Sequence, residues 1–206
     1  MTDLTFTNVH VIDPEAQKVT FGAVTISSGK IRQVFDNKEN QFRGETGRVI
    51  DGAGKYLAPG LVDLGVKVCE PGERHKESYR SAGRAAAAGG VTTIITRPDT
   101  TPAIDSPETL EFVTRRANEA APVHVRPMAA LTKGRKGAEM TEIGFLMDAG
   151  AVAFTDCDRV VTNTKVFSRA LTYARSLGAL IIAHPQDPGL SAGAAVTSGK
   201  CASLRG

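Results

Sequence analysis

The chain has 206 residues and a formal net charge of +3, and 41% of its residues are apolar while 23% are charged. That balance is ordinary for a globular protein. The positive charge forms no basic block and aromatic residues make up only 5%, which argues against nucleic-acid binding. No apolar run approaches the ~18 residues of a membrane span. The first residues, MTDLTFTNVHVIDP, lack the basic and apolar regions of a signal peptide.

The three cysteines are far apart and odd in number. This pattern argues against a disulfide framework and favours a reducing compartment. We therefore expect a cytoplasmic protein that binds neither nucleic acid nor a membrane.

Short β-like runs separated by turn residues dominate residues 1–56. Pairs such as Asp13-Pro14 and Asp51-Gly52 bound these runs, and such pairs are typical of turns. The segment therefore predicts part of a small β domain. Its predicted strands are Leu4–Ile12, Val19–Ser27, Ile31–Phe35 and Arg48–Ile50.

From residue 57 onward, apolar runs alternate with longer helical patterns. The predicted strands are Leu61–Val68, Val91–Thr96, Val123–Ala130, Ala151–Thr155 and Ala179–Ala183. The predicted helices are Lys76–Ala88, Ser106–Ala120, Ala138–Ala149 and Lys165–Leu177. Such alternation is typical of βαβ units with a parallel sheet.

Five strands fit either a doubly wound sheet or an interrupted (β/α)₈ barrel. A complete barrel needs about 250 residues, so residues 57–206 would hold only part of one. We favour the second alternative. The expected fold class is therefore α/β, with a partial (β/α)₈ TIM-type barrel of about five strands.

A series of short motifs follows in one order along the chain. They are Leu57–Asp63 (LAPGLVD), Glu70–Glu77 (EPGERHKE), Arg84–Thr93 (RAAAAGGVTT), Pro98–Pro102 (PDTTP), Asp105–Leu110 (DSPETL), Ala130–Gly134 (ALTKG), Gly150–Asp156 (GAVAFTD) and Ala183-His184. Together they resemble the dihydroorotases of the cyclic amidohydrolase family, over roughly the first half of a family member. The resemblance implies a barrel preceded by a β-sandwich built from both chain ends, so that residues 1–56 would be a β-sandwich segment.

The resemblance also implies metal-assisted hydrolysis, in which one or two zinc ions generate hydroxide and polarise the carbonyl of a cyclic amide. In the family, the first barrel strand ends in His-x-His, and an Arg two residues later holds the substrate carboxylate. The matching positions here are Gly65, Lys67 and Cys69. Glycine offers no ligand atom, a protonated lysine has no lone pair, and cysteine cannot clamp a carboxylate as arginine does.

Further family positions are changed downstream. Asp99 stands where the family has an Asn that helps to hold substrate, and an acid there would repel an anionic substrate. After the fourth strand, where the family often has two acidic residues, the pair is Asp156 and Cys157. His184 is the only residue that matches a family metal ligand. We therefore predict a vestigial site without metal or other cofactor.

Two interpretations of Lys67 remain open. The period-2 geometry of a strand places Lys67 on the same face as its neighbours Gly65 and Cys69. There its ammonium would replace the charge of the lost metal if it paired with a nearby acid; the candidate acids are Asp99, Asp156 and Asp158. The alternative is a lysine that extends to solvent.

The two cysteines of the vestigial site also allow two interpretations. Cys69, Cys157 and His184 would suit a soft zinc site if they met. No Cys-x-x-Cys pair supports this. The alternative is small thiols that fill vacated space.

Three functions follow from the resemblance. The first is a noncatalytic dihydroorotase-like protein of pyrimidine biosynthesis, similar to homologues that are structural partners of aspartate transcarbamoylase. The second is an active zinc dihydroorotase that converts dihydroorotate to carbamoyl aspartate and back. The third is a nonfunctional fragment of a longer protein. The unpaired edges of the first and last predicted barrel strands additionally predict self-association.

Overall fold

The structure, a computed structural model, describes residues 3–36, 47–194 and 199–204. The chain divides into two compact units, Met1–Gly60 and Leu61–Gly206. Each unit has its own sheet. Within the described ranges, no helix combines the length and the apolar character needed to cross a membrane.

The first unit is a five-stranded sheet. Its strands are β1 (Leu4–Asp13), β2 (Lys18–Ser27), β3 (Lys30–Asp36), β4 (Arg48–Asp51) and β5 (Tyr56–Leu57). They follow the order β3-β2-β1-β4, and β5 also pairs with β1. The pairs β1–β2 and β2–β3 are antiparallel, whereas β4 and β5 run parallel to β1. All four strands predicted for this segment are present.

The second unit contains a parallel sheet with the order β6-β7-β8. These strands are Leu61–Val66, Val91–Thr96 and His124–Pro127. Single parallel bridges, Ala129 to Phe154 and Phe154 to Ile181, continue the same array. The unit is therefore the predicted partial barrel, with five strand positions side by side.

The fourth and fifth strand positions are much shorter than predicted. The fourth extended segment lies between two residues with left-handed backbone, Gly150 (φ 104°) and Cys157 (φ 59°). Phe154 forms the bridges, since its N–H donates to the carbonyl of Leu180 at 2.9 Å and its carbonyl accepts from Ile182 at 2.9 Å. Ala153 and Thr155 add backbone hydrogen bonds to Ala129, so the segment pairs within the predicted range without forming a longer regular strand.

Helices follow the strands as the alternation predicts. They are α1 (Tyr79–Ala88), α2 (Pro107–Ala120), α3 (Ile143–Asp148), α4 (Thr164–Leu177), α5 (Pro188–Ser191) and α6 (Lys200–Ser203). The Ser106 hydroxyl caps α2 by accepting from the N–H of Thr109, and Pro107 occupies the first turn. Gly178 ends α4 with φ 69°, as helix-terminating glycines commonly do.

Two helices begin later than predicted. α1 starts at Tyr79 instead of Lys76 because Ser78 caps it and accepts from the N–H of Ser81. The helix predicted over Ala138–Ala149 shrinks to α3. The preceding residues bond to the chain after β8 instead, since Thr141 donates its N–H to the carbonyl of Leu131 at 3.0 Å.

The buried apolar cluster of the second unit is built from the sheet and the helices α1–α4. Its largest members are Tyr79, Phe154, Ile94, Ile104, Leu110, Leu131, Ile143 and Leu146. By contrast, several large apolar side chains of the first and last strand positions are exposed: Leu61, Val62, Leu64, Leu180 and Ile182.

Candidate functional site

A cavity of about 450 Å³ lies at the carboxyl ends of the strand positions in the second unit. This end of a β/α barrel is where catalytic residues are normally found. The residues that line it and carry the argument are Gly65, Arg97, Cys157, Asp158 and His184. The structure therefore brings together three of the seven site positions proposed from sequence, namely Gly65, Cys157 and His184.

Gly65 interrupts the alternation of β6. Its φ is +82°, and the register with β7 shifts between Leu64 and Val66. As a result, the consecutive residues Leu64 and Gly65 both line the cavity. The expectation that one uninterrupted alternation orients the site residues of this strand is wrong at this point, because a left-handed residue rotates the chain.

Lys67 forms an ion pair at the rim of the cavity. Its Nζ lies 3.3 Å from Oδ2 of Asp99. The Lys67 side chain is 56% exposed, whereas that of Asp99 is only 4% exposed. Of the three acids considered from sequence, Asp99 is the partner, so the predicted pairing of Lys67 with a nearby carboxylate is confirmed. Lys67 itself is not among the residues that line the cavity.

Arg97 is a site residue that the sequence did not single out. Its Nη2 and Nε donate to the two oxygens of Asp99 at 2.8 and 3.2 Å, a bidentate geometry. Partial burial is the largest single effect and lowers the pKa of the Arg97 guanidinium, but the charges and hydrogen bonds of Asp99 and Cys157 together outweigh it and raise that pKa. Its position could have indicated this role, because Arg97 directly follows the last residue of β7, at the end of the strand where barrel enzymes carry their catalytic residues.

Asp156 does not reach the cavity. Its carboxylate is buried and accepts from the N–H of Thr132 at 3.0 Å and from the Thr132 hydroxyl. The side chain thus joins the loop after β8 to the segment after the fourth strand position. It holds these two loops together and is not among the residues that line the cavity.

Asp158 faces the cavity instead, and it too is paired. Arg135 donates Nη2 to its Oδ1, and Arg97 Nη2 lies 3.7 Å from the same oxygen. The sequence also did not indicate Arg135 as a site residue. It lies in a short 3₁₀ turn (Lys133–Arg135), and the tertiary structure determines which residues its long side chain contacts.

Cys157 and His184 line the cavity, while Cys69 does not. Burial raises the pKa of the Cys157 thiol, and the Asp99 charge adds to this against the opposing effects of Arg97 and Arg135. A raised pKa disfavours the thiolate that binds metal. His184 Nε2 lies 2.8 Å from Oε1 of Gln186. Across the described residues, no three His, Cys, Asp or Glu side chains are grouped so as to hold a metal ion.

The donor set consequently does not fit the zinc site that the resemblance implies. Gly65 contributes no ligand atom, and Lys67 presents an ammonium that is already paired with Asp99. The Asp156 carboxylate is engaged by Thr132. His184 alone remains as a ligand of the family type.

Glu70 anchors the loop that follows β6. Its Oε1 accepts from Arg116 Nε of α2 at 2.8 Å, and its Oε2 accepts from the N–H of Tyr79 at 3.1 Å. Arg74 Nε lies 3.5 Å from Oε1. Burial opposes ionisation, but these donors and charges outweigh it and lower the pKa of Glu70. One carboxylate therefore links the loop, the first turn of α1, and α2.

The family model described as "Dihydro-orotase-like" matches residues 54–206. This chain belongs to that family. A dihydroorotase from Sulfurihydrogenibium sp. is 37% identical over 97% of this chain and 46% of its own length. A dihydroorotase from Solibacter usitatus is 40% identical over 90% of this chain and 42% of its own length. The chain thus spans less than half the length of these curated relatives.

Solved structures show the same fold. The L-hydantoinase from Arthrobacter aurescens superposes with a TM-score of 0.74 at 22% identity, over 89% of this chain and 41% of the hydantoinase. A D-hydantoinase from Thermus sp. superposes with a TM-score of 0.64 at 22% identity, over 88% of this chain and 40% of that protein. The dihydroorotase-like chain therefore shares the fold of part of these hydantoinases.

Proposed function

We propose that this chain is part of a cytoplasmic protein of pyrimidine biosynthesis that has lost dihydroorotase chemistry and serves as a structural partner of aspartate transcarbamoylase. The proposal concerns the whole protein. The observation that carries it is the ion pair between Lys67 and Asp99, because the resemblance places a metal ligand at position 67.

The charge arrangement supports the loss of metal chemistry. Lys67 and Arg97 both contact Asp99, and Arg97 also lines the cavity. A divalent cation placed in the cavity would face the positive side chain of Arg97, and like charges at close range repel each other. Breaking the Arg97–Asp99 pair to admit a metal would also leave a buried carboxylate without its partner, which is costly.

The first test measures metal and turnover on the purified full-length protein. We expect no stoichiometric zinc after purification in zinc-supplemented buffer, and no hydrolysis of dihydroorotate. The dihydroorotase from Sulfurihydrogenibium sp., prepared in parallel, is the positive control. About one zinc per chain, with turnover that chelation abolishes, would contradict the proposal.

The alternative is an active zinc dihydroorotase. It is favoured by the 40% identity to a curated dihydroorotase and by the position of His184 on the cavity wall. The variant His184→Ala separates the two functions. It removes zinc and turnover if the protein is an enzyme, and it changes neither if the site is vestigial.

The loop after β6 and the surface of α1 support the partnership with aspartate transcarbamoylase. Glu70 holds the loop after β6 and the start of α1 in place through hydrogen bonds to Arg116 and Tyr79. The exposed Arg80 and Arg84 of α1 are therefore displayed on a fixed surface. A specific interface there should bury at least ~1,000 Å².

Co-expression with aspartate transcarbamoylase of the same organism tests the partnership. We expect the full-length protein and the transcarbamoylase to elute together on size exclusion. The double variant Arg80→Glu/Arg84→Glu should separate them, while Arg169→Glu on α4 should not. Separate elution of the unaltered proteins, with transcarbamoylase assembly unchanged when this protein is removed, would favour a nonfunctional remnant instead.

A further inference from the structure

A second depression, of about 530 Å³, adjoins the cavity described above. The two share Asp158 and His184. The charged residues that line the depression are Arg135, Lys136, Arg159 and Asp158. They come from the loops after β8 and after the fourth strand position, and none of them is a family site position matched above. The charged lining of the depression is therefore distinct from those positions, while His184 and Asp158 belong to both concavities.

The lining of this depression is positively charged. Three cationic side chains face one carboxylate, which leaves two positive charges uncompensated. Asp158 is already bonded by Arg135. Within the described ranges, Lys136 and Arg159 take part in no ion pair. Two cations that converge on a concavity without a counter-ion are the usual electrostatic signature of an anion site.

The arginines are also held in position. Nε and Nη2 of Arg135 donate to the carbonyl of Asp156 at 3.2 and 3.1 Å. Nη1 of Arg159 donates to the carbonyl of Arg135 at 3.2 Å. Each guanidinium has five N–H donors, so both retain donors for a ligand. Fixing the side chains in advance reduces the entropy lost on binding.

We infer that this depression binds the phosphate group of a small phosphorylated molecule. A phosphate monoester carries close to two negative charges near neutral pH, which balances the two uncompensated cations. Its oxygens accept bidentate hydrogen bonds from arginine, and lysine supplies a point charge. The volume of the depression admits a compound of a few more atoms than phosphate. The inference does not depend on the proposed function.

Calorimetric titration at constant ionic strength tests the site with three probes: inorganic phosphate, glycerol 3-phosphate and glycerol. We expect both phosphate compounds to bind and glycerol not to bind. Tighter binding of glycerol 3-phosphate identifies a phosphorylated metabolite as the ligand, and equal binding identifies free phosphate. Each of Arg159→Gln and Lys136→Gln should weaken binding roughly tenfold, as expected when a charge-assisted hydrogen bond is lost.

Two further sets of variants make the result specific. Lys165→Gln and Arg175→Gln remove exposed cations of α4 that lie outside the depression and should leave phosphate affinity unchanged. Asp158→Asn removes the one carboxylate of the lining and should strengthen binding. Circular dichroism verifies that every variant is folded. The inference is overturned if phosphate does not bind, or if the α4 variants weaken binding as much as Arg159→Gln does.

Discussion

Asp99 is the residue on which the ion pairs of this site converge. Its buried carboxylate has two cationic partners, a bidentate Arg97 and an exposed Lys67. The two contacts are unequal, because an exposed ion pair is screened by water while the guanidinium makes two directed bonds at a partly buried position. Arg97 is therefore expected to hold Asp99, with Lys67 contributing charge at the rim.

This inequality predicts different costs for two substitutions. Arg97→Met should lower the free energy of unfolding by roughly 1–3 kcal/mol, because a buried carboxylate loses its main donors. Lys67→Met should cost less than about 1 kcal/mol, the usual range for an exposed pair. Urea denaturation of both variants checks this. Equal losses would contradict the predicted inequality, and a larger loss for Lys67→Met would show that the lysine is the main partner.

Part of this site could be predicted from the sequence, and the rest could not. A pair between Lys67 and an acid was predictable, because the carboxyl ends of neighbouring parallel strands meet, but the sequence left Asp99 as one of three candidate partners. The role of Asp156 was not predictable, because nothing in the sequence indicates that its carboxylate accepts a hydrogen bond from Thr132. Arg135 was missed because long side chains in loops reach partners that only the folded backbone determines.

Among the elements, the boundaries of α2 and α4 agree with the sequence prediction, whereas α1 and α3 begin later than predicted. Ser106 with Pro107, and Gly178, mark ends that the sequence predicts. Strand lengths agree with the sequence prediction less well. The fourth strand position was predicted as a full strand from its apolar residues, but the folded chain forms only a bridge at Phe154. Apolar residues alone do not determine whether a short segment forms a regular strand with its neighbours, so this difference was not predictable.

The loop after β6 depends on Glu70, and this dependence should vary with pH. The pKa of Glu70 is lowered in the folded chain. Its contribution is therefore present above its unfolded pKa of about 4.3 and is lost as the pH falls through the folded value. Glu70→Gln should destabilise the chain by roughly 1–3 kcal/mol at pH 7, and the difference should shrink as the pH is lowered.

Glu119→Gln is the matched control for Glu70→Gln. Glu119 also contacts Arg116, at 3.8 Å, but its side chain is 60% exposed. It should cause no measurable change at either pH. Urea denaturation at neutral and acidic pH compares the variants. A Glu70→Gln penalty that is independent of pH would mean that lost packing, and not the lost charge, accounts for it.

At the scale of the whole molecule, the second unit leaves apolar sheet surface in water. In the described part of the chain, β6 pairs with β7 alone, and Leu64 of β6 is 73% exposed. Unpaired strand edges with apolar side chains favour pairing with other chains. The isolated 206-residue chain should therefore self-associate.

A charge on this edge strand should oppose that association. Val62→Lys places an ammonium on β6, where Val62 is exposed, and should shift the chain toward monomer. Leu171→Lys makes the same kind of change on the exposed surface of α4 and should not. Sedimentation velocity over a range of concentrations measures the effect. A monomeric unaltered chain at all concentrations would rule out association through this edge.

The left-handed backbone at Gly65 also bears on which residue this position can hold. No atom lies within 4 Å of a Cβ built at this position, so space would not prevent a histidine there. The φ of +82° would oppose a histidine at this position, because residues other than glycine are destabilised there by about 1–2 kcal/mol. An imidazole introduced by Gly65→His would therefore find open space but lower the stability of the chain, so this backbone favours glycine at the position irrespective of the cavity's chemistry.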